Sequence, residues 1–92
     1  MIFELEYTDD FKEDKEKLRK AGDIRALQKL AKLLKELTEH PTTGTGKPEP
    51  LSGDRTGQWS RRITHKHRLI YMIIEEKVIV LLLSAYGHYG EK

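Results

Sequence analysis

Apolar and polar positions alternate along Ile2-Phe3-Glu4-Leu5-Glu6-Tyr7, and this period of two predicts a short strand. Thr8, Asp9 and Asp10 follow as N-cap candidates, and Phe11 to Lys20 is expected to be helical. That helix has a thin apolar stripe, Phe11 and Leu18, among densely packed charges that read as a solvated face with i,i+4 pairs. Gly22 can take a left-handed C′ conformation, and Asp23 can cap a second helix. Ile24, Leu27, Leu30, Ala31, Leu34 and Leu37 recur at the helical period, with Leu33 on the flank, so this stripe is expected to face the core. His40-Pro41 ends the helix, because a residue before proline is pushed out of the helical region.

From Pro41 to Gly57 the periodicity disappears for about 17 residues, which include all three prolines and four glycines. A loop of that length in a small domain tends to be functional or disordered. Pro48 and Pro50 stiffen the backbone on either side of Glu49, which favours a carboxylate held in place. Three strands are then expected: Trp59–Thr64, His67–Ile74 and Val78–Ala85, with turns near His65-Lys66 and Glu75–Lys77. The second and third are nearly all apolar, which predicts central strands buried on both faces. Trp59 reads as a packing residue at the sheet edge.

The chain has 92 residues and carries a formal net charge of +2. It is expected to form one domain, 1–92, with one modest core. The absence of cysteine rules out disulfides and cysteine–zinc sites and suits a reducing cytoplasm. No apolar segment resembles a signal peptide or reaches the roughly 20 residues that span a bilayer. Charge is balanced over residues 1–40, but between Lys47 and Arg68 six basic residues face two acidic ones. That local excess is compatible with a polyanion such as RNA, and equally with an ordinary solvated basic edge.

Tight turns would put the index sums of the last hairpin near 151–153, with Arg68 opposite Leu83 or Ala85 and His88-Tyr89 close by. In the hairpin before it, Ile63 would pair with Arg68, and Arg62 would be a diagonal neighbour or lie on the opposite face. Arg68, Arg61/Arg62 and His88/Tyr89 would then converge at one end of the sheet, and the loop would have to deliver Glu49. Such a set suits RNA cleavage, in which the 2′-OH is the nucleophile. A carboxylate can be the base and a histidine the acid, while arginines clamp phosphate oxygens and a tyrosine stacks on a base or bonds a phosphate. Each residue also has a plain reading. Glu49 and His88 could be surface groups, Arg68 could pair with a structural carboxylate, and Tyr71 could be a core aromatic. His65-x-His67 could in principle bind a metal, but without cysteine or a nearby carboxylate no metal site or cofactor is expected.

Four ordered motifs resemble the YoeB/Txe toxins of the RelE superfamily. They are Gly44 to Leu51 (Gly-x-Gly-Lys-Pro-Glu-Pro-Leu), Trp59–Thr64 (Trp-Ser-Arg-Arg-Ile-Thr), His67–Tyr71 (His-Arg-Leu-x-Tyr) and His88-Tyr89. The resemblance implies an α+β fold, with two N-terminal helices on one face of a small twisted antiparallel sheet of about four strands. It implies a metal-independent, ribosome-dependent mRNA endoribonuclease that cuts in the A site and stops translation. The implied partners are the 70S ribosome with its mRNA and a YefM-like antitoxin, together with operator DNA bound only through that antitoxin; family members are often homodimers. By the same resemblance Glu49 is the general base, His88 the general acid, Arg68 the transition-state clamp and Tyr89 the residue that orients the scissile nucleotide. Arg62 is a phosphate contact, and Lys47, Arg61 and Tyr71 are further RNA or ribosome contacts. Two departures stand out. Ser52 replaces a lysine that follows Pro-Glu-Pro-Leu in better-known members, which makes Arg55 a candidate substitute, and Gly90-Glu91-Lys92 extends the chain past His88-Tyr89. Two other classes stay open: a toxin of the same superfold that acts by binding, as in gyrase poisoning of the ParE type, and a non-catalytic RNA-binding module.

Overall fold

A computed structural model describes residues 2–77 and 79–87 of the chain. In order, the elements are β1 (Glu4–Tyr7), α1 (Asp9–Lys20), α2 (Ile24–Leu37), β2 (Glu49–Pro50), β3 (Gln58–Arg62), β4 (Arg68–Ile74) and β5 (Ile79–Ser84), with short 3₁₀ turns at Gly53–Arg55 and Glu75–Lys77. The fold is α+β, as the resemblance implied, and its sheet has five strands in the order β1-β5-β4-β3-β2. The sheet is mixed rather than purely antiparallel: β1 runs parallel to β5, Leu5 beside Val80, while the other pairs are antiparallel. The fifth strand is β2, two residues of the long loop that pair with β3.

Both helices start as their caps dictate. The Thr8 hydroxyl accepts from the Phe11 amide at 3.1 Å and donates to the Leu82 carbonyl at 2.8 Å, so one side chain caps α1 and ties it to β5. Asp23 accepts from the Ala26 amide and caps α2, and Gly22 before it has φ +69°. The core gathers Phe11 and Leu18 of α1, Ala26, Leu30, Leu33 and Leu37 of α2, and Leu69, Tyr71, Val80 and Leu82 of the sheet. Removing each such leucine from water contributes about 1.5–3 kcal/mol.

The buried stripe of α2 is rotated from the expected one. Ala26, Leu30, Leu33 and Leu37 form the seam, Leu27 and Leu34 flank it, and Ile24 (60% exposed) and Ala31 face outward. A leucine-rich helix offers two overlapping stripes, and the one with alternating spacings of four and three residues meets the sheet here. β4 and β5 also differ from expectation, since away from the helices only Ile70, beside Ser60, is fully buried. Met72, Ile74 and Leu81 on that side are half-buried, and among the described residues no helix covers that face.

The β3–β4 register moves by a residue, while the β4–β5 hairpin keeps the expected index sum of 153 from Tyr71 to Ile74 and departs from it only at Ile70. Arg62, not Ile63, pairs with Arg68. In the β4–β5 hairpin Tyr71 faces Leu82, but Ile70 faces Ser84, so an irregularity between Ile70 and Tyr71 adds a step. The Arg68 amide consequently donates to the Gly87 carbonyl at 3.0 Å, beyond the expected Leu83 or Ala85. No described helix is long and apolar enough to cross a membrane.

Candidate functional site: an arginine-lined open sheet face

Side chains alternate across a strand, so β3 divides its functional residues between two faces. Ser60 and Arg62 point to the open face, and Trp59 and Arg61 to the helix side. Arg62 and Arg68 are direct cross-strand partners and therefore neighbours on the open face. Two like charges in that position repel each other, a local conflict of the kind found where a ligand of opposite charge binds.

Glu49 reaches the same face from β2. Its backbone pairs with Ser60, as Pro50 pairs with Trp59, and the Leu51 amide donates to the Gln58 carbonyl at 2.9 Å. Upstream, the Arg62 amide donates to the Gly46 carbonyl at 2.7 Å. From Gly46 to Glu49 the loop advances three residues while β3 advances two. The extra residue is accommodated at Lys47, whose φ is +51°. Arg68 extends across β3. Its Nη1 donates to Ser60 Oγ at 3.1 Å and lies 3.6 Å from Glu49 Oε1. The latter distance is an ion pair rather than a hydrogen bond. Arg68 is 14% exposed and Glu49 52%, so the cation is set into the surface and the carboxylate stands at its edge.

The structure thus brings Glu49, Arg62 and Arg68 together, with Lys47 on the approaching loop. Arg55 donates to Gln58 Oε1 at 2.9 Å, which places it further along the β3 edge. His88 and Tyr89 lie outside the described residues. Ser60 is a site residue that sequence reading passed over. It is fully buried and holds Arg68, and its spacing of two from Arg62 was the available signal.

Arg61 and Tyr71 are corrected. Both are 0% exposed and lie on the helix side, so neither can touch RNA from there. Arg61 Nε donates to the Tyr71 hydroxyl at 3.1 Å. Its Nη1 donates to Glu36 Oε1 at 3.1 Å and to the Thr45 carbonyl at 3.3 Å, and its Nη2 to the carbonyls of His40 and Thr43. All five guanidinium N–H groups therefore have acceptors inside the chain. The Tyr71 hydroxyl donates in turn to the Pro41 carbonyl at 2.7 Å. Burial raises the Tyr71 pKa, partly opposed by Arg61. Glu36 accepts from the Thr45 hydroxyl at 2.6 Å and the Thr45 amide at 2.8 Å. The hydroxyl's bond, helped by the amide and the charges of Arg61 and Lys32, holds the Glu36 carboxyl below its ordinary pKa against the effect of partial burial.

Among the described residues no group of three or more His, Cys, Asp or Glu is placed to hold a metal ion. The nearest sequence candidates are separated: His65 is exposed, while His67 is buried, with its Nδ1 accepting from the Gly87 amide at 2.8 Å and its ring against Tyr86.

A mixed five-stranded sheet with two helices on one face is the α+β fold of the RelE/YoeB class of toxins. The solved YoeB/ParE toxin from Agrobacterium tumefaciens superposes with a TM-score of 0.87 at 34% identity over 95% of this chain and all of that one. YoeB from Staphylococcus aureus, solved as a dimer, superposes at 0.80 with 30% identity over 97% of this chain and all of that one. A heterotetrameric YoeB-YefM complex from the same organism gives 0.79 at 30% identity, with the same coverage. Toxin YoeB of Mycobacterium bovis is 41% identical over 69 residues, 75% of this chain and 79% of that protein. The model of the YoeB-like toxin of bacterial type II toxin-antitoxin systems matches residues 4–89. The chain belongs to that family.

Proposed function

We propose that this toxin is a ribosome-dependent mRNA endoribonuclease working in the A site without a metal. The observation that carries the reading is the grouping of Glu49, Arg62 and Arg68 on one open sheet face. A bound phosphate group relieves the repulsion between the two arginines and receives charge-assisted bonds from both. Glu49, half-exposed at the edge of this cation pair, takes the proton of the 2′-OH. The 2′-oxygen attacks phosphorus, Arg68 and Arg62 balance the charge that develops on the non-bridging oxygens, and the P–O5′ bond breaks. A 2′,3′-cyclic phosphate and a 5′-OH result. In the roles implied by family resemblance, His88 gives the proton to the leaving 5′-oxygen and Tyr89 orients the nucleotide. Lys47 and Arg55 lie where they can contact RNA or ribosome beyond the scissile phosphate.

The proposed partners follow from the same reading: the 70S ribosome and its mRNA, and a YefM-like antitoxin, by analogy with the S. aureus complex. Operator DNA is engaged only through that antitoxin. A homodimer is proposed by analogy with the S. aureus toxin. The compartment is the cytoplasm, where translating ribosomes are.

Primer extension on an mRNA translated by purified ribosomes tests this. Discrete cuts at A-site codons are expected, absent without ribosomes and absent with His88→Gln. Blocked translation of intact mRNA would replace the nuclease with a binding inhibitor. Normal translation of intact mRNA would redirect attention to gyrase.

A further inference from the structure

The loop that delivers Glu49 is built around a buried cation. Arg61 gathers the carbonyls of His40, Thr43 and Thr45, and Tyr71 holds that of Pro41. Glu36 closes the cage from α2 through both polar groups of Thr45 and through Arg61 itself. There is little slack. Gly44 has φ +115°, and a Cβ there would come within 2.5 Å of Glu36 Oε1. Gly46 has φ +87°, and a Cβ there would come within 2.8 Å of the Arg62 carbonyl.

Arg61 also stands between the two β3 residues that receive the loop on its way to the open face. Arg62 bonds the Gly46 carbonyl, and Ser60 pairs with Glu49. Only Lys47 and Pro48 separate Gly46 from Glu49, and the prolines at 48 and 50 limit how that short piece can adjust. The trace set at Gly46 is therefore passed on to Glu49.

We propose that Arg61 is a positioning residue: its buried guanidinium fork, with Glu36 and Tyr71, sets where the loop meets β3 and hence where Glu49 stands against Arg68. A misplacement of about 1 Å at a reacting group can cost on the order of 10²-fold in rate, so the fork acts on turnover without touching RNA. In its kinetic part the proposal rests on the endoribonuclease reading.

Arg61→Lys keeps the charge but replaces a planar five-donor fork with three donors on a flexible stem. Tyr71→Phe removes one acceptor and one donor and is the gentler variant if Arg61→Lys folds poorly. Amide hydrogen exchange and steady-state cleavage on ribosomes are measured for both. The Thr45 and Arg62 amides, which bond Glu36 and Gly46, are expected to exchange on the order of tenfold faster in Arg61→Lys, about one lost hydrogen bond's worth. The β4–β5 amides should be accelerated less than these two. The kcat should fall by about 10- to 100-fold with KM nearly constant, and Tyr71→Phe should move both readouts less in the same direction.

Unchanged exchange at Thr45 and Arg62 in both variants overturns the proposal. So does a loosened loop with wild-type kcat, and so does a rise spread evenly over α2, β4 and β5, since Arg61 would then support the whole fold alike. A wild-type protein that cuts no mRNA defeats the endoribonuclease reading alone. The positioning claim is then decided by the ¹³C shift of the Glu49 carboxylate at constant pH, which moves in Arg61→Lys if the fork places it and stays if it does not.

Discussion

Arg61 and Arg62 are consecutive residues of the same type on β3, and the pleat sends them to opposite worlds. Arg61 enters the helix side, is fully buried and spends all five donors on the chain's own oxygens. Arg62 is exposed on the open face beside Arg68, where its charge is repelled by a neighbour. The first arrangement is saturated with internal acceptors, while the second sets two like charges side by side on an accessible face. The contrast teaches that the number of arginines in a motif says little about its chemistry, because burial turns the same side chain from a ligand contact into a structural clamp.

Glu49 and Arg61 should differ most widely in their weight in stability. Glu49→Gln removes the proposed base from a half-exposed ion pair, so single-turnover cleavage on ribosomes should fall by about 10²–10⁴-fold. An exposed pair of this kind is worth only about 0–1 kcal/mol, so urea unfolding should barely change. Full cleavage by a folded Glu49→Gln protein would remove the open face from the chemistry.

Arg61→Met should cost stability as well as turnover, destabilising the fold by about 3–5 kcal/mol in urea titrations, because Glu36 and several carbonyls lose a buried partner. Arg62→Met on the other face should stay within about 0.5 kcal/mol of wild type, as surface changes usually do. Equal costs for the two would break the comparison. A smaller loss, about 1–3 kcal/mol, is expected for Gly44→Ala, which forces a side chain into φ +115° against Glu36.

The smallest effect is a pH dependence. The Glu36 pKa is lowered in the folded protein, chiefly by the Thr45 hydroxyl. Its contribution to stability is therefore full above its unfolded pKa and is lost as pH falls through the lowered folded value. Thermal unfolding across the acid range should show a steeper loss for wild type than for Glu36→Gln. Equal slopes would mean that Glu36 does not hold the loop through its charge.

Much of this was legible along the chain. The period of two at Ile2–Tyr7, the caps at Thr8 and Asp23, the helix-ending His40-Pro41 and the apolar runs of β4 and β5 each reflect forces that act within a few residues. The same is true of the Pro-Glu-Pro stiffening around Glu49 and of the motif order that pointed to the family. The pleat even guaranteed that Arg61 and Arg62 would face opposite ways. Which of them faced the helices was not readable, because a one-residue slip in register reverses every side chain of a strand. That choice, the pairing of Glu49 with Ser60, the extra step at Ile70/Tyr71 and the parallel docking of β1 on β5 all join residues distant in sequence. Packing settled them together: α2 buries its Ala26–Leu37 seam against the sheet while Glu36 meets Arg61, which is turned inward with the Pro41–Gly46 loop folded around it.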